Sequence, residues 1–75
     1  MTLFEGTINK PYKISAIQTD DEALKHRLLS LGITKDSQVL IERFSSNKAT
    51  LAVLINRAKI ALRDTEAQGI MIESI

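Results

Sequence analysis

Few side chains in this sequence could bind a metal ion. The chain has one histidine and no cysteine, and His26 follows Glu22 by four residues, a spacing that places both on one side of a helix. A carboxylate and an imidazole would supply two ligands to a divalent metal, whereas structural sites usually use four. The pair therefore predicts an exposed ion pair or, failing that, a metal site completed by a second copy of the chain. No resident metal is required.

The same shortage of reactive side chains argues against an enzyme. A catalytic site needs a nucleophile, a base and an orienting group that converge in one pocket. The chain has no cysteine, a single histidine and only three glycines. Its carboxylates form no recognisable pair, and its glycines form no nucleotide-binding motif. We expect a small binding or regulatory protein that is not an enzyme.

The charge balance bears on nucleic acid as a partner. Ten Lys and Arg stand against nine Asp and Glu, a net charge of +1, whereas nucleic-acid binding calls for a clustered basic face. It also calls for stacking aromatics, and only Phe4, Tyr12 and Phe44 are present. Arg57 and Arg63 remain candidates for contact with a nucleotide phosphate or an acidic partner. A small barrel that binds nucleic acid is therefore an open alternative, ranked below a protein-binding or regulatory module.

The continuous apolar run Leu51–Ile55 is the strongest indication of a binding surface. Side chains of a strand alternate between faces, so a strand with one solvated face should alternate apolar with polar residues. This run does not alternate. If its odd-numbered members point into the core, Leu54 points outward, and Leu40 and Met71 on neighbouring strands are expected to join it. A contiguous exposed apolar patch usually marks an interaction surface.

One helix is predicted over residues 20–31. Thr19 and Glu22 fit a capping box, in which each side chain accepts a hydrogen bond from a free backbone N–H. Gly32 is placed to take the left-handed conformation that ends a helix. The apolar stripe expected to face the core recurs at i, i+4 and i+7 and consists of Leu24, Leu28 and Leu31.

The remaining segments predict about five short strands. Alternation indicates a strand at Tyr12–Ala16, and β-forming residues fill Val39–Phe44 and Leu51–Ile55. Asn56 and Arg57 form a two-residue link to a strand that carries Ile60 and Leu62. A short helical turn from Asp64 to Ala67 precedes a last strand that begins at Ile70. A five-stranded sheet can hide its edges by curling into a small barrel, so the fold class is mainly β, in one domain spanning residues 1–75.

The ordered set of motifs resembles the FeoA family, small cytoplasmic proteins that accompany the bacterial ferrous iron transporter. The resemblance extends from about Tyr12 to Ile72. It is carried by the segments 28–33 (Leu-Leu-Ser-Leu-Gly-Ile) and 60–63 (Ile-Ala-Leu-Arg), by Val39, by the Glu-Ala pair at 66–67, and by Ile70 and Ile72.

The resemblance implies an SH3-like barrel with the helix inserted after the first strand. It also implies assistance to ferrous iron uptake, by contact with the cytoplasmic GTPase-bearing region of a ferrous iron permease. Contact residues would come from the outer strand face and from the helix end at Arg27, Leu31 and Gly32. The protein would be cytoplasmic, recruited to the inner face of the membrane by its partner. Homo-oligomer formation is compatible with this interpretation.

The same resemblance leaves a second interpretation open, because this fold also forms the C-terminal domain of iron-dependent repressors. The chain would then be a stand-alone regulatory module. Three departures from the family pattern bear on contacts: many members have Gly near the position of Asp36, Gly at the tight turn of Arg57, and a Pro-x-Gly-Asp-Pro loop where this chain has Ser45–Thr50. A partner contact made by that loop in relatives would be made differently here.

Overall fold

The structure, a computed structural model, describes all 75 residues. After a short 3-10 turn at Leu3–Glu5, the chain forms five strands and two helices. In chain order these are β1 (Pro11–Ile17), α1 (Glu22–Ser30), β2 (Gln38–Phe44), β3 (Thr50–Ile55), β4 (Ala58–Arg63), α2 (Asp64–Ala67) and β5 (Ile70–Ser74). The predicted strands, the inserted helix and the short helical turn before the last strand are all present.

The five strands form one antiparallel sheet in the order β4-β3-β2-β1-β5. The two edge strands, β4 and β5, follow each other along the chain and are joined by α2. The edge of β5 is covered by the start of the chain, where Thr2 bridges Met71 and the backbone N–H of Ile72 donates to the carbonyl of Met1 at 2.8 Å. The edge of β4 has no such cover.

Alternation along the strands, interrupted by a register shift in β1 and another in β2, builds a single core. In β3, Leu51, Val53 and Ile55 are buried while Ala52 and Leu54 are only partly covered. The expected assignment of the two faces is therefore confirmed. The core contains fourteen buried apolar residues: Leu3, Tyr12, Ile14, Leu28, Ile33, Val39, Ile41, Leu51, Val53, Ile55, Leu62, Ala67, Ile70 and Ile72.

The start of α1 differs from the prediction. The helix begins at Glu22, and the capping residue is Asp21, whose carboxylate accepts a hydrogen bond from the N–H of Leu24 at 3.2 Å. Thr19 instead accepts from the N–H of Asp21. The predicted Thr19–Glu22 capping box is wrong because three consecutive polar residues each offer a cap, and sequence spacing does not select among them.

The end of α1 follows the prediction at Gly32 but not at Leu31. Gly32 has φ +80°, its N–H donates to Leu29, and the N–H of Ile33 donates to Leu28. This is the double hydrogen bond of a Schellman motif, and it directs Ile33 into the core. Leu31 lies one residue beyond the helix and is 40% exposed, so it is not part of the core stripe. Leu28 is the one buried residue of the helix.

Candidate docking surface

The outer face of β2 and β3 carries an apolar pair. Leu40 lies directly opposite Leu54 in the antiparallel register, and both side chains are half-buried. Such cross-strand neighbours have Cβ atoms about 5 Å apart, so the two leucines form one continuous apolar surface. They line a groove of about 370 Å³ whose wall is completed by Gln38, Val39, Asn56 and Arg57.

Arg57 is placed at this groove by the β3–β4 turn. Asn56 and Arg57 have φ of 49° and 73°, the left-handed pair that a two-residue hairpin turn requires. The tight turn keeps β3 and β4 paired up to the turn itself, where the last residue of β3, Ile55, lies opposite the first residue of β4, Ala58. Of the residues predicted for partner contact, Leu40, Leu54 and Arg57 therefore lie together in the structure.

Cationic side chains surround the apolar pair. The register places Lys59 beside Leu54, Arg43 and Ala61 on either side of Ala52, and Arg63 beside Thr50. A second groove of about 350 Å³ lies at the Arg43 and Ala61 end of this outer face. We name the outer face of β2, β3 and β4 the docking face. One anionic partner offsets its charge, since Glu42 lies 3.8 Å from Lys59.

Arg27 of α1 is held at the end of β4 by an ion pair with Glu66 of α2. The Glu66 carboxylate also accepts a hydrogen bond from the backbone N–H of Arg63 at 2.8 Å, and the Arg27 guanidinium donates to the carbonyl of Ala61 at 3.5 Å. The Glu66 carboxylate thus caps the first turn of α2. Partial burial raises the pKa of Glu66, but its hydrogen bonds with the Arg63 N–H and Arg27 outweigh burial and leave the pKa below its usual value.

The remaining residues predicted for partner contact lie elsewhere. Leu31 and Gly32 form an exposed helix end whose residues take no part in lining the docking-face grooves. Met71 lies on β5, opposite Ala16 of β1, and β1 separates β5 from β2. Leu40 is opposite Pro11, five residues from Ala16 and about 17 Å along β1. The expectation that Met71 joins Leu40 and Leu54 is wrong, because adjacency depends on register as well as on the face.

Glu22 and His26 are both exposed on α1. The carboxylate of Glu22 lies 3.6 Å from the Nζ of Lys25, one turn along the same helix. No group of three or more His, Cys, Asp or Glu side chains in the structure is placed to hold a metal ion. One chain therefore offers at most two metal ligands here, and a site completed by a second copy stays a prediction.

The aromatic side chains are used in packing. Tyr12 is buried, and its hydroxyl accepts a hydrogen bond from the N–H of Thr7 at 2.8 Å. Phe4 and Phe44 pack edge to face, with ring centroids 5.8 Å apart and planes at 84°. Stacking on bases needs exposed ring faces in a basic groove. Tyr12 is buried, and Phe44, which lines the groove beside Arg43, is already packed against Phe4 with the Nζ of Lys48 5.5 Å from its ring centroid.

Sequence reasoning missed four residues of this region: Arg43, Lys59, Glu42 and Glu66. Lys59 had a usable signal, since it is an even number of residues from Ala61 and Arg63 and so shares their face. Arg43 had none, because a register shift between Ile41 and Arg43 changes the alternation in β2. Glu66 had none either, because its partner Arg27 lies 39 residues away in sequence.

Comparisons with known proteins identify related sequences over nearly the whole chain. The model of the FeoA domain matches residues 1–74. A candidate Fe(2+) transport protein A of one Helicobacter pylori strain is 48% identical over 73 residues, which is 97% of this chain and 96% of the relative. The corresponding protein of a second strain is 47% identical over 73 residues, 97% of this chain and 94% of its own.

Solved structures share the fold. The solution structure of the Chlorobium tepidum FeoA protein has a TM-score of 0.93 at 23% identity, over 100% of this chain and 70% of that one. The zinc complex of Stenotrophomonas maltophilia FeoA, described as an SH3 domain protein, has a TM-score of 0.83 at 25% identity, over 97% and 89% of the two chains. A manganese-dependent transcriptional repressor has a TM-score of 0.92 at 21% identity, over 100% of this chain and 41% of its own. The expected SH3-like fold is confirmed.

Proposed function

The chain belongs to the FeoA family, and from this premise we propose that it is a non-catalytic accessory protein of ferrous iron uptake. It acts in the cytoplasm, by contact with the GTPase-bearing region of a ferrous iron permease. The permease brings it to the inner face of the membrane. No helix of the structure is both long and apolar enough to span a bilayer.

Two comparisons support the transport role. The Helicobacter pylori relatives, at 48% and 47% identity, are named for Fe(2+) transport. The Stenotrophomonas maltophilia protein is described as a candidate activating factor of ferrous iron transport. The repressor likeness, at 21% identity, concerns the fold alone. Regulation of transcription is therefore not the function we propose.

The single observation that carries the contact mechanism is the Leu40–Leu54 pair. Water would favour polar side chains on the outer face of β3, as is usual for an antiparallel strand with one solvated side. The two leucines instead lie beside a groove on the surface, with Arg57 at its wall. Aliphatic side chains buried at the centre of an interface commonly carry much of the binding free energy.

The other predicted contact residues differ in how well they support docking. Arg63 and Arg57 border the docking face and are exposed. Arg27 is already paired with Glu66, so it serves the partner only by positioning β4 and α2. Leu31 is exposed beside Gly32 at the helix end and would contribute a separate, smaller contact. Met71, across β1 from these residues, is outside the proposed interface.

Ferrous iron is the cargo of the permease in this proposal, and folding does not depend on a resident metal. The chain has one histidine and no cysteine, and no three His, Cys, Asp or Glu side chains are placed to hold a metal ion, so a single chain falls short of a four-ligand structural site. We expect the same melting temperature with and without chelator. A shift of several degrees, or loss of an oligomer on chelation, would instead support a site that Glu22 and His26 share between two copies.

The test of the docking surface is Leu54→Lys. Lysine can lay its aliphatic stem over the groove and keep its ammonium group in water, so the barrel stays folded. In the complex the charge would lie unpaired against an apolar contact, which is costly. We expect an unchanged thermal melt and loss of permease-dependent ferrous iron uptake in cells that carry the variant in place of the wild type.

The matched control is Leu29→Lys, the same substitution at a leucine of α1 that is 59% exposed and lines neither docking-face groove. Its uptake should equal that of the wild type. Normal folding of Leu54→Lys with normal uptake would refute the docking surface. A collapsed melt would show that Leu54 contributes to the core.

A further inference from the structure

The edge of β4 beside the docking face presents free backbone groups. The N–H of Arg63 donates to Glu66, and the carbonyl of Ala61 accepts from Arg27, so these two groups point away from β3. Antiparallel ladders alternate between residues that bond one neighbour and residues that point to the other side. Lys59 lies two residues before Ala61 and four before Arg63, so its backbone groups point the same way as theirs. The N–H and C=O of Lys59 and the N–H of Ala61 therefore face the open edge.

The side chains along this edge disfavour pairing with a second copy of the chain. In a two-fold arrangement that pairs all three edge residues, Ala61 meets its own equivalent and Lys59 lies opposite Arg63. Like charges placed directly opposite each other destabilise a cross-strand pair, and edge lysines are a recognised defence against edge-to-edge aggregation. Both Lys59 and Arg63 are exposed. The occupant that suits this edge must carry carboxylates where a second copy would bring cations.

We propose that β4 receives an extended acidic segment of the partner protein as an added sixth strand. The inference rests on the proposed function, and it names the chemistry of the partner at the same face. Main-chain hydrogen bonds would give such an interaction its affinity, and alternate side chains would give its specificity. The fitting pattern has two acidic residues four positions apart, with a small residue between them opposite Ala61.

The residues on either side of that small residue have a defined environment. They point to the opposite face of the added strand, the face that carries Ile60 and Leu62. Ile60 is only partly buried, so an apolar residue of the partner would cover its exposed part. The pattern expected of the partner segment is therefore acidic, apolar, small, apolar, acidic.

The Arg27–Glu66 pair marks where the added strand ends. These two side chains already use the Ala61 carbonyl and the Arg63 N–H, the edge groups nearest to α2. The free groups lie between the hairpin turn and Ala61. A partner strand would therefore pair over the turn-proximal part of β4. Its second carboxylate would reach the Arg63 side chain on the docking face rather than the Arg63 backbone.

The probe is a fluorescein-labelled peptide, Gly-Glu-Val-Ala-Val-Glu-Gly, blocked at both ends and followed by fluorescence anisotropy at low salt. Two control peptides separate the components of the interaction. One replaces both glutamates by lysine. The other keeps every side chain but is N-methylated at the alanine and at both glutamates, the residues whose N–H groups face β4 when they lie opposite Ala61, Lys59 and Arg63. We expect each control peptide to bind at least about tenfold more weakly, equivalent to about 1.4 kcal/mol.

Variants of the full chain test the protein side. Lys59→Glu should weaken binding of the acidic peptide by about tenfold or more, because attraction becomes repulsion. Lys35→Glu, the same charge change in an exposed turn, should leave it unchanged. Ala61→Pro removes the outward N–H while sparing the β3–β4 ladder, a position where proline is tolerated in an edge strand, and should also weaken binding.

Several results would overturn the added strand: no binding of the acidic peptide, equal binding of its N-methylated form, or wild-type affinity in Lys59→Glu. If Ala61→Pro does not fold, the N-methylated peptide still decides the question. If the acidic peptide does not bind but Leu54→Lys loses uptake, the added strand is wrong and the proposed function stands. If the peptide binds but both Leu54→Lys and Lys59→Glu show normal uptake, the edge of β4 binds acidic strands without serving ferrous iron uptake, and the proposed function is wrong.

Discussion

The inner and outer faces of β3 are built from the same kinds of side chain yet have opposite roles. Leu51 is buried with 1% exposure among the core residues, whereas Leu54, three residues later, is half-buried beside an open groove. They differ because successive side chains of a strand point to opposite faces, and because the two faces pack against different neighbours. Apolar character alone therefore does not identify the core, and the informative residues of this chain are the apolar ones that alternation places outside.

The two faces also differ in their neighbours. The inner face meets other apolar side chains, including Leu28 of α1 and Ile33 after it. The outer face meets Lys59, Arg43 and the turn at Arg57. The inner face is thus completed by the chain itself. The outer face combines apolar and cationic side chains, and the chain itself does not cover them. The exception is Glu42, which lies near Lys59.

The largest expected effect compares leucines on the two faces. Leu51→Ala should lower the free energy of unfolding by about 2–5 kcal/mol, the usual range when a buried leucine is truncated and leaves a cavity. Leu54→Ala should lower it by about 1 kcal/mol, since truncation there leaves a depression open to water and no closed cavity. Urea unfolding of both variants measures the difference.

The pair serves as its own control, because residue type, strand and substitution are the same. Leu28→Ala, in the one buried position of α1, should resemble Leu51→Ala. Equal destabilisation by Leu51→Ala and Leu54→Ala would show that the two faces are equally part of the core. The docking surface would then lose its structural basis.

Local sequence signals predicted most of the fold. Alternation identified the strands and the faces of β3, and Gly32 identified the end of α1, because these features depend on residues close together in sequence. The start of α1 was misassigned because Thr19, Asp20 and Asp21 can each cap a helix, and the local geometry selects Asp21.

The candidate site was only partly predictable. Leu40, Leu54 and Arg57 were identified from alternation and turn chemistry, and they do lie together. Met71 was misplaced because the strand order, with β1 between β2 and β5, depends on non-local pairing. The Arg27–Glu66 ion pair depends on how α1 and α2 come together at the end of β4. No spacing rule connects residues 39 positions apart.

The next effect concerns the ion pair that borders the docking face. The pKa of Glu66 is held below its usual value in the folded state, so its ionised form stabilises the fold at neutral pH. This stabilisation is complete above the unfolded pKa of about 4.3 and is lost as the pH falls through the lowered native pKa. Glu66→Gln should therefore be less stable than the wild type at pH 7, by about 1 kcal/mol.

The sign can be checked by following both proteins from pH 7 to pH 3. Because other carboxylates also titrate, the informative quantity is the difference between the two free energies of unfolding, which should shrink as Glu66 becomes protonated. Glu22→Gln, at the exposed carboxylate that pairs with Lys25, provides the control for loss of an exposed ion pair, which contributes about 0–1 kcal/mol. A gap that stays constant with pH would contradict the charged role of Glu66.

The smallest expected effect on stability is an increase in the free energy of unfolding, on substitution of Arg57 in the turn between β3 and β4. Arg57 has φ 73°, a left-handed conformation that costs an L residue roughly 1–2 kcal/mol. Glycine adopts it freely but loses more backbone entropy on folding, about 0.5–1 kcal/mol. The net expectation for Arg57→Gly is a gain of between a few tenths and about 1 kcal/mol. It also creates Asn-Gly, the pair most favoured in this type of turn.

The functional expectation for the same change has the opposite sign. Arg57→Gly removes a cation from the wall of the Leu40–Leu54 groove, so an acidic partner should bind more weakly although the protein is more stable. Asp36→Gly, at φ 72° in the turn before β2, is the matched control: it makes the same backbone change at a residue that lines neither groove, so it should leave binding unaltered. Thermal melts and ferrous iron uptake of both variants separate the two roles. A less stable Arg57→Gly would refute the strained turn, and unchanged uptake would show that Arg57 shapes the hairpin without contacting the partner.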